Sequence, residues 1–354
     1  MRLVAYTDNV ELGGADLCMS HLLARLDSSV EVTVLGVSAA IVERLAKARP
    51  TATTRVVPRP RSDHDVRSLA AHVRVLLQIS PDVVHANLSS PWSCQYAVAA
   101  SAVVRRARVV AVYQLAVPPI SERQRRAKQL TARAIDRHVG VGQRTSRDVE
   151  ALVGLPEGRV RTIHNGVPDE PERPRRPRLH AGPVIGAIGR LEHQKGFDTL
   201  LSALRDVDDA TLVLVGEGSD RAALETLGQT LGVSDRVVWT GWSDDPRGYF
   251  GSFDVFALPS RFEGFPLVVL EALLAGSAVV AANVGDVADV VLDGETGILV
   301  EPDDPAALAE AIRRLLGDAP LRRRLGEQGR SLVLERFTAD HMTAAFEALY
   351  DELR

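Results

Sequence analysis

The feature that most constrains the fold of this chain is the regular alternation of short apolar runs with amphipathic helical patterns. Runs such as 2–6, 32–35 and 83–85 are rich in Val, Leu and Ala, and each is followed by a segment with helical spacing. Strands that alternate with helices pair in parallel, because each helix returns the chain to the same end of the sheet. The pattern therefore predicts an α/β fold with doubly wound parallel sheets covered on both faces.

Length and local composition divide this pattern into two domains. The chain has 354 residues, more than one hydrophobic core of ordinary size accommodates. Residues 168–182 hold four prolines among arginines, a composition that sustains neither a helix nor a core strand. We predict two Rossmann-like domains at 1–167 and 183–336, joined by this linker, and a final helix at 337–354.

The two halves carry opposite net charge. Residues 1–167 hold 23 Lys and Arg against 14 Asp and Glu, a net charge of +9, and residues 168–354 hold 19 against 32, a net charge of −13. This asymmetry suggests that the first half meets an anionic partner, and a solvated basic surface without a partner is the alternative. A nucleic-acid partner is disfavoured, because few aromatic residues accompany the basic ones and no binding motif is present.

Cysteine usage and the first residues indicate a cytoplasmic protein. Cys18 and Cys94 lie far apart without C-x-x-C spacing, which argues against a disulfide scaffold or a zinc site. A charged side chain at Asp8 comes too early for a signal peptide, and no apolar run reaches the ~18 residues of a membrane span. Asp206-Val-Asp208 has the D-x-D spacing of some metal sites but is expected to be a solvated turn. Neither a metal nor a cofactor is predicted.

The stretch 254–276 combines features that suit a ligand with both phosphate and hydroxyl groups. It contains a short apolar run at 255–258, then a loop, then a helix with Pro266 in its first turn. Gly264 lets the backbone come close to a ligand, and the start of the helix offers unpaired N–H groups to an anion. Glu263 and Glu271, eight residues apart, flank this point. A nucleotide-sugar is a ligand of this kind.

A second motif supplies positive charge. An apolar run over 184–188 ends at Gly189 and is followed by Arg190 and, five residues later, by Lys195. Two cations at the end of one strand can neutralise a diphosphate and stabilise it as it leaves with developing charge.

Together these motifs resemble the retaining GT-B glycosyltransferases of family 4. Glu263-x7-Glu271 resembles the E-x7-E element of that family, and Gly189-Arg190 with Lys195-Gly196 resembles its G-R-x4-K-G element. The N-G-V segment at 165–167 and the D-G-x-T-G-x-L-V segment at 293–300 also match. The resemblance implies two Rossmann-like domains that face each other across a cleft. The first would bind the acceptor, the second the nucleotide-sugar, and helix 337–354 would cross back to the first.

The resemblance also implies roles for individual residues. Arg190 and Lys195 would bind the diphosphate, Glu263 would contact the sugar hydroxyls, and Glu271 would accept hydrogen bonds from the ribose hydroxyls, as a carboxylate can. The further donor-binding residues would be Gly13, Gly14, Gln114, Gly189, Trp242, Ser243, Gly264, Phe265, Pro266 and Leu267.

Two positions in the first half depart from the family pattern. Asp82-Val-Val-His85-Ala-Asn87 resembles D-V-V-H-x-H, with Asn87 in place of the second His. Gln114 follows a strand where the family usually has a His near the sugar, and an amide cannot carry a proton. We hypothesise that Gln114 contacts an altered sugar hydroxyl. Glu11, His85 and Asn87 are acceptor-side candidates, and a buried core histidine is the alternative for His85.

The helix predicted at 122–137 is densely basic. Some relatives place such a helix on anionic membrane, but its apolar face is thin here, so deep insertion is not expected. A solvated or acceptor-facing surface is favoured over contact with a membrane.

These observations favour a metal-independent retaining glycosyltransferase that moves a sugar from a nucleoside-diphosphate sugar to an acceptor hydroxyl or amine. A UDP-sugar is favoured as donor, with GDP or another base as the alternative, and the acceptor is a small molecule that the sequence does not identify. Two other functions stay open: a nucleotide-sugar epimerase of the same fold, and a non-catalytic sugar-nucleotide-binding partner protein.

Overall fold

The computed structural model describes residues 1–62, 64–104, 107–169 and 182–354. The predicted linker at 168–182 falls mostly outside these residues. The chain divides into two compact units, Met1–Pro168 with Ala339–Arg354, and Asp169–Thr338. In the part of the chain that is described, no helix is both long and apolar enough to cross a membrane.

The first unit is built on a seven-stranded parallel sheet with strand order β3-β2-β1-β4-β5-β6-β7. Its elements up to Pro168 are β1 (Arg2–Thr7), α1 (Gly14–Arg25), β2 (Glu31–Gly36), α2 (Ala39–Ala46), β3 (Thr53–Val56), α3 (Val66–Ile79), β4 (Val83–Leu88), α4 (Gln95–Val104), β5 (Arg108–Tyr113), α5 (Glu122–Ala132), β6 (Arg137–Gly140), α6 (Gln143–Val153) and β7 (Val160–Thr162).

The second unit is built on a six-stranded parallel sheet with strand order β10-β9-β8-β11-β12-β13. Its elements are β8 (Val184–Ile188), α7 (Phe197–Arg205), β9 (Thr211–Val215), α8 (Arg221–Thr230), β10 (Val237–Gly241), β11 (Val255–Leu258), α9 (Leu267–Leu274), β12 (Ala278–Ala282), β13 (Ile298–Val300), α10 (Pro305–Gly317) and α11 (Ala319–Arg336).

The central strands are buried along their whole length and mostly apolar, because both faces of each sheet are covered by helices. Every residue of β4 and of β9 is buried, whereas all four residues of the edge strand β3 are exposed. The predicted fold class, two doubly wound parallel sheets, is confirmed.

Both sheets contain a point where the strand order reverses. In the first unit it lies between β1 and β4, and in the second between β8 and β11. Loops that follow the two central strands diverge at such a point and leave a crevice at the carboxyl edge, where open α/β sheets bind ligands. The glycine loop follows β1, and His85 and Asn87 lie within β4. In the second unit the motifs with Lys195 and Glu263 follow β8 and β11.

A last helix, α12 (Ala339–Asp351), belongs to the first unit although it follows the whole second unit in the chain. The backbone N–H of Ala339 donates to the carbonyl of Val167 at 2.8 Å. Within the first unit α12 packs against α1.

One predicted local feature is corrected. Pro266 is the N-cap residue, with φ −74° and ψ 118°, and the helix begins at Leu267. Proline fixes φ near −65°, a value that suits both positions, but it leaves ψ open, so the sequence alone cannot distinguish them.

Candidate functional site

The crevice of the second unit is formed by two loops in close contact, one after β8 and one after β11. Gly196, in the first loop, has a φ of +63°, and a Cβ there would lie 2.1 Å from the carbonyl oxygen of Pro259 in the second loop. No other residue type fits this approach without displacing backbone. The loop that carries Arg190 and Lys195 is thereby held against the loop that carries Glu263.

Lys195 and Glu263 form a close ion pair in this crevice. Lys195 Nζ donates to Glu263 Oε1 at 2.6 Å, and Ser260 Oγ donates to the same oxygen at 2.7 Å. The Glu263 side chain is 7% exposed and the Lys195 side chain 19% exposed. Both bonds fall on Oε1, so Glu263 Oε2 keeps no donor among the described residues, and Lys195 keeps donor capacity for a further acceptor.

Arg190 lies nearer the surface of the same loop. Its Nη1 is 3.1 Å from Glu192 Oε1, and about half of its side chain is exposed. Gly189 precedes it, and a Cβ at Gly189 would meet side chains of Phe197 and Lys195 only at ordinary contact distances of 3.5 and 3.7 Å. The structure therefore places both predicted diphosphate-binding cations after one strand, as the spacing indicated.

The segment between Glu263 and α9 presents backbone rather than side chains. Phe265 is 3% exposed, and its ring lies 5.4 Å from that of Phe337. Leu267 is 7% exposed. The carbonyl of Gly264 accepts the N–H of Asp286 at 2.9 Å. Since these side chains are buried, what this segment offers a ligand is its backbone and the start of α9.

Glu271 lies on α9, one to two turns beyond the helix start. Its Oε1 is 4.0 Å from Nε of Arg247, and both side chains are largely buried. Arg247 was not predicted as a site residue, because it lies in a Pro/Gly-containing segment without a recognisable motif. Ser260 was also missed, although its position three residues before Glu263 is a signal that sequence reasoning could have used.

The predicted base-contacting residues follow β10. Trp242 is 60% exposed, and its Nε1 donates to Asp244 Oδ1 at 3.4 Å. Ser243 Oγ accepts the backbone N–H of Asp245 at 3.2 Å. Asp206-Val-Asp208 lies in the turn between α7 and β9, and no group of three His, Cys, Asp or Glu side chains suited to a metal occurs among the described residues.

The crevice of the first unit opens on the glycine loop before α1. Gly13 and Gly14 have no positive φ, and a Cβ on either would meet nothing within 4 Å. The surrounding protein therefore does not require glycine at these positions. Asp16, fully buried, holds the loop by accepting from Gly13 N at 3.2 Å and from Asn9 Nδ2 at 2.9 Å. Burial raises the pKa of Asp16.

His85 is enclosed by α12. It is 3% exposed, its Nδ1 lies 2.6 Å from the hydroxyl of Tyr350, and its ring is 5.1 Å from that of Phe346. Burial lowers the pKa of His85 to about 3, so the ring is neutral at physiological pH. These contacts favour the core-histidine interpretation. Glu11, by contrast, is exposed in the loop before α1.

The structure brings Asn87 and Gln114 together. Gln114 Nε2 donates to Asn87 Oδ1 at 2.9 Å, and Gln114 Oε1 accepts from Asn165 Nδ2 at 3.1 Å. Asn87 and Asn165 are buried, whereas Gln114 is half-buried. Asn165 was identified only as part of the N-G-V segment, and no sequence pattern indicates its contact with Gln114.

Two models of known protein families match this chain. Residues 169–332 match the family model described as Glycosyl transferases group 1, and residues 12–171 match the model described as Glycosyltransferase Family 4.

Individual relatives match over shorter stretches. LpsE, a lipopolysaccharide core biosynthesis glycosyltransferase of Rhizobium meliloti, is 35% identical over 164 residues, which cover 46% of this chain and 48% of that protein. A Mycobacterium tuberculosis protein, the GDP-mannose-dependent alpha-(1-6)-phosphatidylinositol monomannoside mannosyltransferase, is 35% identical over 183 residues, 48% of either chain. The chain spans about half the length of the curated relatives it matches.

Among solved structures, Anabaena HepE in complex with UDP superposes with a TM-score of 0.85 at 20% identity, covering 99% of this chain and 100% of that chain. At this identity the likeness establishes the fold. The two family models together span residues 12–332, and the chain therefore belongs to the group 1 glycosyltransferases, with their GT-B fold.

Proposed function

We propose that this protein transfers a sugar from a nucleoside-diphosphate sugar to an acceptor hydroxyl or amine, with retention of anomeric configuration and without a metal ion. The observation that carries the proposal is the Lys195–Glu263 pair at 2.6 Å in the crevice between β8 and β11. A cation that can bind phosphate, Lys195, is hydrogen-bonded there to a carboxylate that can bind hydroxyl groups, Glu263. A sugar phosphate uses both.

Each residue then has a definite task. Lys195 and Arg190 neutralise the diphosphate, together with the N–H groups at the start of α9. Glu263 accepts from the sugar hydroxyls, for which its Oε2 has capacity, and Glu271 accepts from the ribose hydroxyls. Lys195 need not leave Glu263 when phosphate binds, because an ammonium group has three donors.

The chemical step that we propose uses no protein nucleophile, since none is obvious beside the Lys195–Glu263 pair among the described residues. The bond between the anomeric carbon and the diphosphate oxygen breaks, and the acceptor oxygen attacks from the face that the leaving group vacates. The acceptor proton passes to a phosphate oxygen of the leaving diphosphate. Two cations stabilise the charge that develops there, so a metal is not needed. An NMR assignment of the product anomer, with EDTA present, tests both statements.

The first experiment is calorimetric titration with UDP, GDP, ADP and dTDP in EDTA. We expect one diphosphate to bind tightly to the wild type and to lose at least about a hundredfold in affinity in the double variant Arg190→Ala/Lys195→Ala. Arg205→Ala removes one exposed positive charge of α7, an arginine that pairs with Asp206, and this surface-charge control is expected to bind normally. No binding by any diphosphate would contradict the proposal.

UDP is the favoured nucleoside diphosphate of the donor, supported by the complex of HepE with UDP-glucose. GDP is the alternative, supported by the GDP-mannose-dependent relative. The net charge of +9 over residues 1–167 supports an anionic acceptor held by the first unit. We place the enzyme in the cytoplasm, where such donors are available.

Donor incubated without acceptor separates transfer from the two alternatives. An epimerase would convert the sugar configuration of the donor, which NMR detects. A non-catalytic binding protein would hold the diphosphate but show no turnover with any acceptor. Slow hydrolysis of the donor, lost in Lys195→Ala while the melting temperature is kept, is the expected result for a transferase.

A further inference from the structure

Lys195 and Glu263 lie on two loops of the second unit that are joined by further hydrogen bonds. Lys195 is the last residue of a 3-10 turn, and Glu263 lies in the loop between β11 and α9. The backbone N–H of Arg261 donates to the carbonyl of Gln194 at 2.8 Å, and Gln194 Nε2 donates to the carbonyl of Phe262 at 2.9 Å. The backbone of the turn is therefore held against the backbone of the second loop.

The side chain of Arg261 crosses from the second loop to the first. Its Nη1 donates to the carbonyl of His193, the first residue of the turn, at 2.7 Å. Nη1 and Nη2 also donate to the two carboxylate oxygens of Asp198 in α7, at 2.9 and 2.7 Å, and Nε lies 2.8 Å from Asp303 Oδ1. The side chain is 16% exposed. Most of the N–H groups of this guanidinium are thus used by the protein itself.

These contacts place Arg261 beside the ion pair without making it a member of the pair. Arg261 precedes Glu263 by two residues, and the carbonyl that it binds belongs to the residue two before Lys195. A guanidinium that bonds a carboxylate through two N–H groups has a fixed plane, and here that carboxylate belongs to a helix. A lysine side chain has no such plane, so the direction of its ammonium group depends on where its backbone is held.

We propose that Arg261 is a positioning residue for the diphosphate site, and that its planar fork holds the turn 193–195 so that Lys195 stays directed at Glu263 and at the phosphate. Arg261 does not contact the ligand, and its effect on binding passes through Lys195. A lysine that is already held need not be ordered when the phosphate arrives. The identity of the ligand rests on the proposed function, whereas the effect of Arg261 on Lys195 does not.

A double-mutant cycle in calorimetry separates this role from a direct contact, with UDP and GDP as the probes. Arg261→Met keeps a long side chain and removes every N–H group. We expect it to lower the affinity for the diphosphate about tenfold, since Lys195 must then be ordered on binding. In Lys195→Ala, which keeps Arg190, the same substitution should change the affinity by less than about twofold. Equal losses in the two backgrounds would overturn the proposal, because Arg261 would then act without Lys195.

Two further variants control for stability and for charge. Arg236 is a half-buried arginine that donates to the carbonyls of Leu204 and Val207, at the end of α7 far from the two loops. Arg236→Met should therefore lower stability and leave the diphosphate affinity within about twofold of the wild type. Arg261→Lys keeps the charge without the fork, so it should lose nearly as much affinity as Arg261→Met. Wild-type affinity in Arg261→Lys would overturn the proposal, and this variant also serves if Arg261→Met does not fold.

A measurement on Lys195 itself keeps the test decisive if no diphosphate binds. The chain has three lysines, so ¹³C-labelled lysine gives few Cε signals, and that of Lys195 is assigned by its loss in Lys195→Ala. A held side chain keeps its two Hε hydrogens distinct, whereas free rotation averages them. We expect distinct Hε signals for Lys195 in the wild type and in Arg236→Met, and averaged signals in Arg261→Met.

The two proposals fail in different ways. Unchanged Lys195 signals in Arg261→Met would overturn this inference alone, whatever the diphosphate does. If no diphosphate binds to the wild type, the proposed function fails, and the Lys195 signals still decide whether Arg261 positions this lysine.

Discussion

At the scale of single residues, the pairing of Lys195 with Glu263 means that the carboxylate offsets part of the ammonium charge that we propose binds phosphate. Glu263→Gln removes that charge and leaves the ammonium in place, with an amide oxygen still able to accept from it. We expect the diphosphate to bind about three- to tenfold more tightly, while turnover falls at least about a hundredfold for loss of a sugar contact. Calorimetry and donor turnover measure the two effects.

Glu271→Gln is the matched control for this prediction. It removes a carboxylate of the same crevice that lies 4.0 Å from Arg247 rather than against Lys195. Its expected effect on diphosphate binding has the opposite sign, a loss of about threefold to tenfold. Weaker binding in Glu263→Gln as well would show that the carboxylate orients Lys195 more than it competes for it.

Several residue-scale features of the site follow from spacing alone, and others do not. Arg190, Lys195, Glu263 and Glu271 are recognisable because strand ends and a helix start fix where they lie. The hydrogen-bond partners of His85 and Gln114 cannot be recognised in this way. Tyr350 lies 265 residues along the chain from His85, and Asn165 lies 51 residues from Gln114. A histidine at the end of a strand looks the same in sequence whether its ring is hydrogen-bonded to a ligand or to a distant tyrosine.

At the scale of secondary-structure elements, the glycines before and within α1 differ from those that close turns. Gly14 is the first residue of α1 and has space for a Cβ, so Gly14→Ala should raise helix stability by about 0.5–1 kcal/mol. Its kcat/KM should nevertheless fall, because the proposed ligand approaches the backbone there. Gly285→Ala should instead lower the free energy of unfolding by about 2 kcal/mol or more. The φ of Gly285 is +54°, and a Cβ there would lie 1.9 Å from the carbonyl oxygen of Glu263.

Thermal unfolding and steady-state kinetics of the two glycine variants, measured side by side, separate a structural glycine from one kept for a ligand. Unchanged kcat/KM in Gly14→Ala would remove the glycine loop from the donor site.

The densely basic helix expected over 122–137 ends at Ala132, and one of its basic side chains is buried. Lys128 is 2% exposed, its Nζ lies 5.2 Å from the ring centroid of Tyr113, and that Nζ has no hydrogen-bond partner among the described residues. Burial lowers the pKa of Lys128 to about 8. The charge pattern predicted the basic face of this helix but not the inward turn of one lysine, because a long side chain among arginines gives no periodic signal.

This shift makes stability depend on pH with a definite sign. The folded state releases the Lys128 proton near pH 8 and the unfolded state near 10.5, so the free energy of unfolding should rise between those values. At pH 7 both states are protonated, and the burial costs on the order of 3 kcal/mol. Lys128→Met should therefore stabilise the protein at pH 7 and remove the rise at higher pH.

Urea unfolding of the wild type, Lys128→Met and Lys47→Met at pH 7 and 9.5 checks this prediction. The chain has only three lysines, and Lys47 is exposed, so Lys47→Met is the matched control and should keep the wild-type pH dependence. A destabilised Lys128→Met would mean that the cation–π contact with Tyr113 outweighs the cost of burial.

At the scale of the whole molecule, alternation of apolar runs and helices predicted both sheets, because each βα unit is a local event that the sequence records residue by residue. The two crevices follow from strand order, and strand order is a long-range property. The resemblance to a family supplied it, whereas hydrophobic periodicity alone would allow several orders of parallel strands.

The contact of α12 with the first unit gives a prediction at this scale. Tyr350→Phe removes the hydroxyl at 2.6 Å from His85 Nδ1 and leaves a buried ring nitrogen without its partner. We expect the first unit to lose about 1–3 kcal/mol of stability. Diphosphate affinity, a property of the second unit, should not change. Calorimetric unfolding with and without the diphosphate measures the stability and the affinity. An altered affinity in Tyr350→Phe would contradict the assignment of diphosphate binding to the second unit alone.

The place of α12 in the chain also affects how the protein is made. During synthesis the second unit, continuous from Asp169 to Thr338, emerges from the ribosome before the segment that completes the first. The sheet of the first unit is therefore made without α12 (Ala339–Asp351), and the surface around His85 and Cys18 stays uncovered until this helix is synthesised. The domain begun first is thus the last to be finished.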